Sequence, residues 1–215
     1  MENPTNLASM GLFGLFFDIA YIFGNSITPN IRIRAYNNGG EKFMIVELVM
    51  MDITKIGSKA DAIVNAANSR LAPGAGVCGA IFSAAGYNEL SAACASLGRC
   101  HPGEAKATRG FRLPNPYIIH AVGPIYDEDP HPSETLANAY INSLNLAESL
   151  GLTSIAFPSI STGIYGYPIK EASEIVAKTL ASYKATSLQK VFMCIYFDER
   201  DYNAYLDAFR RYGLV

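Results

Sequence analysis

The sequence predicts an α/β protein: a three-layer α/β/α sandwich built on a mixed central sheet. Short apolar runs alternate with longer amphipathic stretches from residue 43 onward, the order of strands separated by helices. An early hairpin signal and a pair of runs joined by Pro114-Asn115-Pro116 call for antiparallel neighbours, so the sheet is mixed rather than all parallel. Two glycine loops, each between an apolar run and a helical stretch, place loop–helix junctions at strand ends.

Taken in order, residues 1–42 form an N-terminal extension and 43–215 the main domain. The apolar run MGLFGLFFDIAYIFG, residues 10–24, is too short to span a bilayer and is interrupted by Asp18. No positive segment precedes it, which argues against a secretory signal. It is expected to dock on the domain or on a second copy of the chain, with a membrane-surface segment as the other reading. IRIRAY alternates, Asn37-Asn38-Gly39-Gly40 signals a turn, and MIVELVMMD returns as a strand ending at Asp52.

DAIVNAAN then reads as a strand and Val77 to about Leu97 as one helix. KATRGF and PYIIHAVG are strands. Ser133 to Leu150 is a helix with Ser133 as N-cap and Gly151 as stop. SIAFPS is a strand, and Ile169 to about Tyr183 a helix following Pro168. KVFMCIYF is a strand, and Asp198 caps a last helix, Glu199 to Tyr212, ended by Gly213.

Composition narrows the function classes. The chain has 215 residues, half of them hydrophobic, and a net charge of −2, which suits one globular domain and not a partner for duplex nucleic acid. The four cysteines form no CxxC pair, and the three histidines add no zinc-ligand spacing, so neither a metal nor a cofactor is expected. Unpaired cysteines suit a reducing, cytosolic compartment. No stretch is long enough for a transmembrane helix.

The candidate site is organised around DAIVNAANSRLAPGAGVCGAIFSAAG, residues 61–86. A strand ends in two amides, Asn65 and Asn68, and a loop with Gly74, Gly76 and Gly79 opens a helix. Free N–H groups and the macrodipole at a helix N-terminus favour an anion, and glycine lets backbone approach it closely. A second stretch, SIAFPSISTGIYGYPIKEAS, repeats strand, loop and helix, with Gly163 and Gly166 and the hydroxyls of Ser161 and Thr162. Asp52 and Phe197 stand at two further strand ends. Such ends converge in open α/β sheets.

Two loops gripping from both sides suit a diphosphate. An aromatic offers a stacking face for a base, an acid accepts from an exocyclic amine, and amides meet ribose hydroxyls. The ligand read from these residues is a nucleotide diphosphate carrying sugar. Each part has a plainer reading: Asp52 followed by Thr54 as a local cap, Phe197 as core, and the asparagines as loop braces. The combination favours the binding site.

Two rival readings fit less well. Gly74, Gly76 and Gly79 match GxGxxG, but a polar segment separates the strand from the first glycine. Gly98 and Arg99 also stand where a dinucleotide site needs an acid. PSIS is not GxSxG, so no nucleophile elbow is indicated.

DAIVNAANSRL, GAGVCGAIFSAAG, IIHAVGP and FPSISTGIYGYP together resemble a macro domain, the ADP-ribose-binding module, over residues 43–213. The resemblance implies the same three-layer fold. It also implies binding of ADP-ribose or ADP-ribosylated protein, and hydrolysis of ADP-ribose from mono-ADP-ribosylated protein carboxylates or of O-acetyl-ADP-ribose. Carried over, Asp52 accepts from the adenine amine, the Ile53 N–H meets the ring, and Phe197 flanks the base. Gly74, Ala75, Gly76 and Val77 wrap the diphosphate from one side, and Ser161, Thr162, Gly163, Ile164 and Tyr165 from the other. Asn68 contacts the distal ribose, Asn65 supports the loop, and Tyr165 walls the ribose.

The loop departs from the family pattern. Many hydrolytic members read GVDGAIH; here Cys78 replaces the aspartate, Phe82 replaces the histidine, and Ala75 replaces a glycine. The resemblance gives that aspartate the task of orienting or activating water, so two classes follow. One is a slow, substrate-assisted ADP-ribosyl hydrolase with Asn68, Tyr165 and position 78 at its centre. The other is a non-catalytic ADP-ribose reader. Viral macro domains resemble this loop in lacking the aspartate, and some are hydrolases.

Overall fold

The computed structural model describes residues 44–196 and 198–214, and the backbone of 31–34. The apolar run at 10–24, the turn at 37–40 and Phe197 fall outside the described residues. The strands are β1 (Ile31–Arg34), β2 (Ile45–Met50), β3 (Ala62–Ala66), β4 (Ala105–Arg109), β5 (Tyr117–Ala121), β6 (Ser154–Phe157) and β7 (Lys190–Ile195). The helices are α1 (Gly76–Ala85), α2 (Tyr87–Leu97), α3 (Pro132–Ser149), α4 (Ile169–Ser182) and α5 (Glu199–Arg211).

The sheet runs β1-β2-β7-β6-β3-β5-β4. Its five inner strands are parallel, while β1 and β4 at the edges are antiparallel to their neighbours. The mixed sheet is therefore as expected, and the reason is local. The short Pro114–Pro116 turn reverses the chain between β4 and β5, the crossovers leaving β3, β5 and β6 each carry α-helix, and β2 reaches β3 through two 3₁₀ turns, Ile53–Lys55 and Gly57–Lys59.

One sheet face packs on α3, α4 and α5 through Val64, Ile119, Ile155, Val191 and their neighbours. The other packs on α1 and α2 through Ile63, Ile118, Ala156 and Phe192. The inner strands alternate between two apolar faces because both are covered, which is why they read as continuous apolar runs.

Several boundaries differ from the sequence reading. The helix from Val77 to Leu97 is two helices, broken at Gly86, whose φ of 99° lies outside helical geometry. A Cβ there would meet Arg112 and Glu89 side chains at 2.9 Å, and the Arg112 N–H takes up the Ala85 carbonyl freed by the break. Ser133 is not the cap of α3. The helix begins at Pro132, whose missing N–H costs nothing at that position, and the His131 N–H turns back to Asp129 instead.

The strand expected to end at Asp52 stops at Met50, because Asp52 caps a short 3₁₀ turn, Ile53–Lys55. β3, β5, β6 and β7 are likewise shorter than their apolar runs, each ending where the chain leaves for a loop. At the last helix Asp198 accepts from the N–H groups of Arg200 and Asp201, the cap read from sequence.

Among the described residues no helix is long and apolar enough to cross a membrane.

Candidate functional site

From β3 the chain moves toward β5 and β4; from β6 it moves toward β7. The loops leaving these adjacent parallel strands therefore diverge, and the crevice outside the carboxyl ends of β3 and β6 is the switch point where α/β sheets hold ligands. Both glycine loops open there, and Asp52 stands beyond the end of β2 on the same edge.

In the first loop, Asn68 is a brace. Its Oδ1 accepts from the N–H groups of Arg70 at 3.1 Å and Ala72 at 3.2 Å, and its Nδ2 donates to the Ala72 carbonyl at 2.7 Å. One amide hydrogen remains for a ligand. The loop then turns at Gly76, whose φ of 60° suits glycine, into the first turn of α1. Among the described residues no protein acceptor meets the N–H groups of Ala75, Gly76 or Val77.

Cys78 is buried behind that turn. Burial raises its thiol pKa, against smaller lowering by the Asn65 amide and the Gly74 N–H. The thiol is neutral at pH 7, so a thiolate base is not present here.

In the second loop, Ser161 is held at a φ of 67°, a left-handed conformation unusual for a residue with a Cβ. The Tyr167 N–H closes on the Ser161 carbonyl and the Gly166 N–H on the Gly163 carbonyl, both at 2.9 Å. Among the described residues no protein acceptor meets the N–H groups of Ser161, Thr162, Gly163, Ile164 or Tyr165. Five unused donors in succession on a strained turn are the kind of group that can hold an anion.

Ile164 at the tip is 84% exposed. The pKa of the Tyr165 hydroxyl is raised by burial first, then by the electrostatic influence of Cys78 and of the Glu128 carboxylate.

Three supports were not legible in the sequence. Gly123, at the end of β5, lies against Ser161: a Cβ there would come within 2.1 Å of Ser161 Oγ. Tyr140 of α3 donates to the Pro158 carbonyl at 3.1 Å and accepts the Ile160 N–H at 3.3 Å. Tyr205 of α5 pairs with Ser159 Oγ at 2.8 Å. The buried tyrosines thus pin the entry to the second loop. Their signal in sequence was only a polar tip on an apolar helix face.

At the other end Asp52 realises the cap read from sequence. Its Oδ1 accepts from Thr54 N–H at 2.9 Å and Thr54 Oγ1 at 2.8 Å. Neither contact uses its second oxygen or the Ile53 N–H, so the cap leaves room for a base-binding role.

The Macro domain family model matches residues 64–176, from the middle of β3 into α4. The chain belongs to the macro domain family.

The macro domain of Oceanobacillus iheyensis, solved with ADP, superposes with a TM-score of 0.75 at 39% identity, covering 85% of this chain and 96% of that one. The O-acetyl-ADP-ribose deacetylase of Citrobacter rodentium is 45% identical over 74% of this chain and 92% of its own length. The ADP-ribose glycohydrolase MACROD1 of Mus musculus is 42% identical over 78% of this chain and 52% of its own. The three-layer fold expected of a macro domain is thereby shown for this chain.

Proposed function

We propose that this macro domain binds ADP-ribose across the crevice and slowly hydrolyses it from protein carboxylates or cleaves O-acetyl-ADP-ribose. The observation that carries the proposal is the pair of loops with unused backbone N–H groups at the carboxyl ends of the adjacent strands β3 and β6, with Asp52 just beyond the end of β2. A diphosphate spans that gap, placing the adenine at Asp52 and Ile53 and the distal ribose between Asn68 and Tyr165. The names of the C. rodentium and M. musculus relatives support hydrolysis, and the O. iheyensis structure supports the nucleotide end.

Cleavage at the anomeric carbon builds positive charge on the distal ribose. The bound diphosphate is the nearest anion and stabilises it. Water adds its oxygen to that carbon, its proton goes to solvent, and the carboxylate departs with the bonding electrons. Positioning by Asn68 and Tyr165 supplies several kcal/mol of the barrier reduction. General-base assistance, worth about 10²–10⁴-fold, is missing at position 78, so turnover is slow.

The neutral, buried Cys78 thiol favours a second reading, a reader that binds without cleaving. Calorimetry with ADP-ribose, expected to show micromolar binding of about −7 to −9 kcal/mol, tests the site. Release of ADP-ribose from a mono-ADP-ribosylated glutamate substrate separates the classes: slow release supports the hydrolase, and none after long incubation supports the reader. A cytosolic setting fits the four free cysteines.

A further inference from the structure

Behind the first loop, on the sheet face covered by α1 and α2, lies a buried polar row that the proposed chemistry does not use. Asn65 of β3 and His120 of β5 are register partners, so their side chains stand side by side. Asn65 is 1% exposed and His120 fully buried. Asn65 Nδ2 lies 3.1 Å from His120 Nδ1. On the far side of the ring, Nε2 lies 2.9 Å from Thr108 Oγ1 of β4 and 3.6 Å from Cys94 Sγ of α2.

The chemistry of the row selects one arrangement. An amide nitrogen only donates, so Nδ1 is the bare nitrogen and Nε2 carries the single proton of the neutral ring, donating to Thr108. Burial supports the neutral form by lowering the ring's pKa to about 4. The same Asn65 side chain is close enough to Cys78 to lower its thiol pKa, against the larger effect of burial. Its Oδ1 is left buried without a partner. The reversed amide would bury two N–H donors away from any acceptor instead, which is costlier than one under-used carbonyl.

We propose that His120 is a positioning residue: by accepting from Asn65 on Nδ1, it fixes the amide that backs Cys78 and so sets the first loop under the distal ribose. This rests on the ADP-ribose reading of the crevice. The row does not reach Asp52, so it bears on the ribose end and leaves the base end untouched.

The test compares the full chain with His120→Leu, which removes the acceptor, and His120→Gln, which restores one. ADP and ADP-ribose are titrated into each by calorimetry, alongside thermal melts. In His120→Leu, ADP-ribose affinity is expected to fall about fivefold to tenfold and ADP affinity by a clearly smaller factor, because ADP shares the diphosphate contacts of the first loop but lacks the distal ribose, and His120→Gln is expected to recover most of the loss. Long-range ¹H–¹⁵N spectra of the native chain are expected to show His120 protonated on Nε2 and bare on Nδ1.

Equal losses for ADP and ADP-ribose in step with melting temperature, no difference between Leu and Gln, or a proton on Nδ1 would each overturn the inference. If the native chain binds neither nucleotide, the proposed function fails. The tautomer still shows separately whether His120 holds Asn65 as described.

Discussion

Gly123 and Ser161 pack backbone to side chain across two loops, so closely that a single methyl on Gly123 would sit 2.1 Å from Ser161 Oγ. The end of β5 is thus the floor on which the strained turn after β6 rests. Gly123→Ala must turn the Ser161 hydroxyl and the Ile160 side chain, which crowds the turn where the N–H groups start. ADP-ribose affinity is expected to fall at least about tenfold, and stability by about 1–3 kcal/mol. Calorimetry and thermal unfolding check both. Unchanged affinity with unchanged stability would mean that the loop backbone does not depend on the Gly123–Ser161 packing.

Asp52 has two roles that substitution can separate. An asparagine in its place would still cap the 3₁₀ turn, since asparagine is as good a cap as aspartate, but it carries no charge for the adenine amine. Asp52→Asn is therefore expected to keep the native melting temperature and to weaken ADP-ribose binding by about 1–3 kcal/mol. Asp52→Ala loses the contacts to Thr54 as well. A melt and a titration on each variant give the comparison. Equal binding by Asp52→Asn and the native chain would remove Asp52 from the base site.

At position 78 the thiol is neutral, and a serine makes a similar small, uncharged substitute. Cys78→Ser should leave ADP-ribose release nearly unchanged. Cys78→Asp places a carboxylate near the Asn65 amide, and turnover should rise by about 10²-fold or more with little change in affinity. Single-turnover assays on ester-linked substrate read both. A large loss in Cys78→Ser would show that the sulfur takes part in the reaction.

His120 also predicts how stability depends on pH. Its folded pKa, about 4, lies below the ordinary 6.5 because burial disfavours the charged ring. The unfolded chain binds the proton first. The stability associated with the neutral ring is fully present above pH 6.5, declines as pH falls through the window, and is gone below about 4. The full effect is roughly 3 kcal/mol.

The groups facing the ring are Asn65, Thr108 and Cys94. The Cys94 thiol, raised to about 11 chiefly by burial, stays neutral throughout. Urea unfolding between about pH 4 and 7 should show a shallower decline in His120→Gln than in the native chain. Parallel slopes would place the titrating group elsewhere.

Much of the site was legible in the sequence because its signals are local. Apolar runs marked the strands, glycines and amides marked the loops after β3 and β6, and Asp52 two residues before Thr54 marked a cap. Each depends on neighbours a few residues away, and each stands in the structure.

What the sequence by itself determined, then, is the order of elements, the mixed sheet and the two loops at strand ends. These follow from periodicity and turn chemistry alone. Tertiary structure decided the break at Gly86, which depends on Arg112 closing over the Ala85 carbonyl from another element. It also decided which buried groups hold the loops: Gly123 under Ser161, Tyr140 and Tyr205 at the entry to the second loop, and His120 beside Asn65. Asn65 and His120 are 55 residues apart and meet only because β3 and β5 pair in one register. A shift of one residue would turn them to opposite faces, and no local pattern in either strand specifies that alignment.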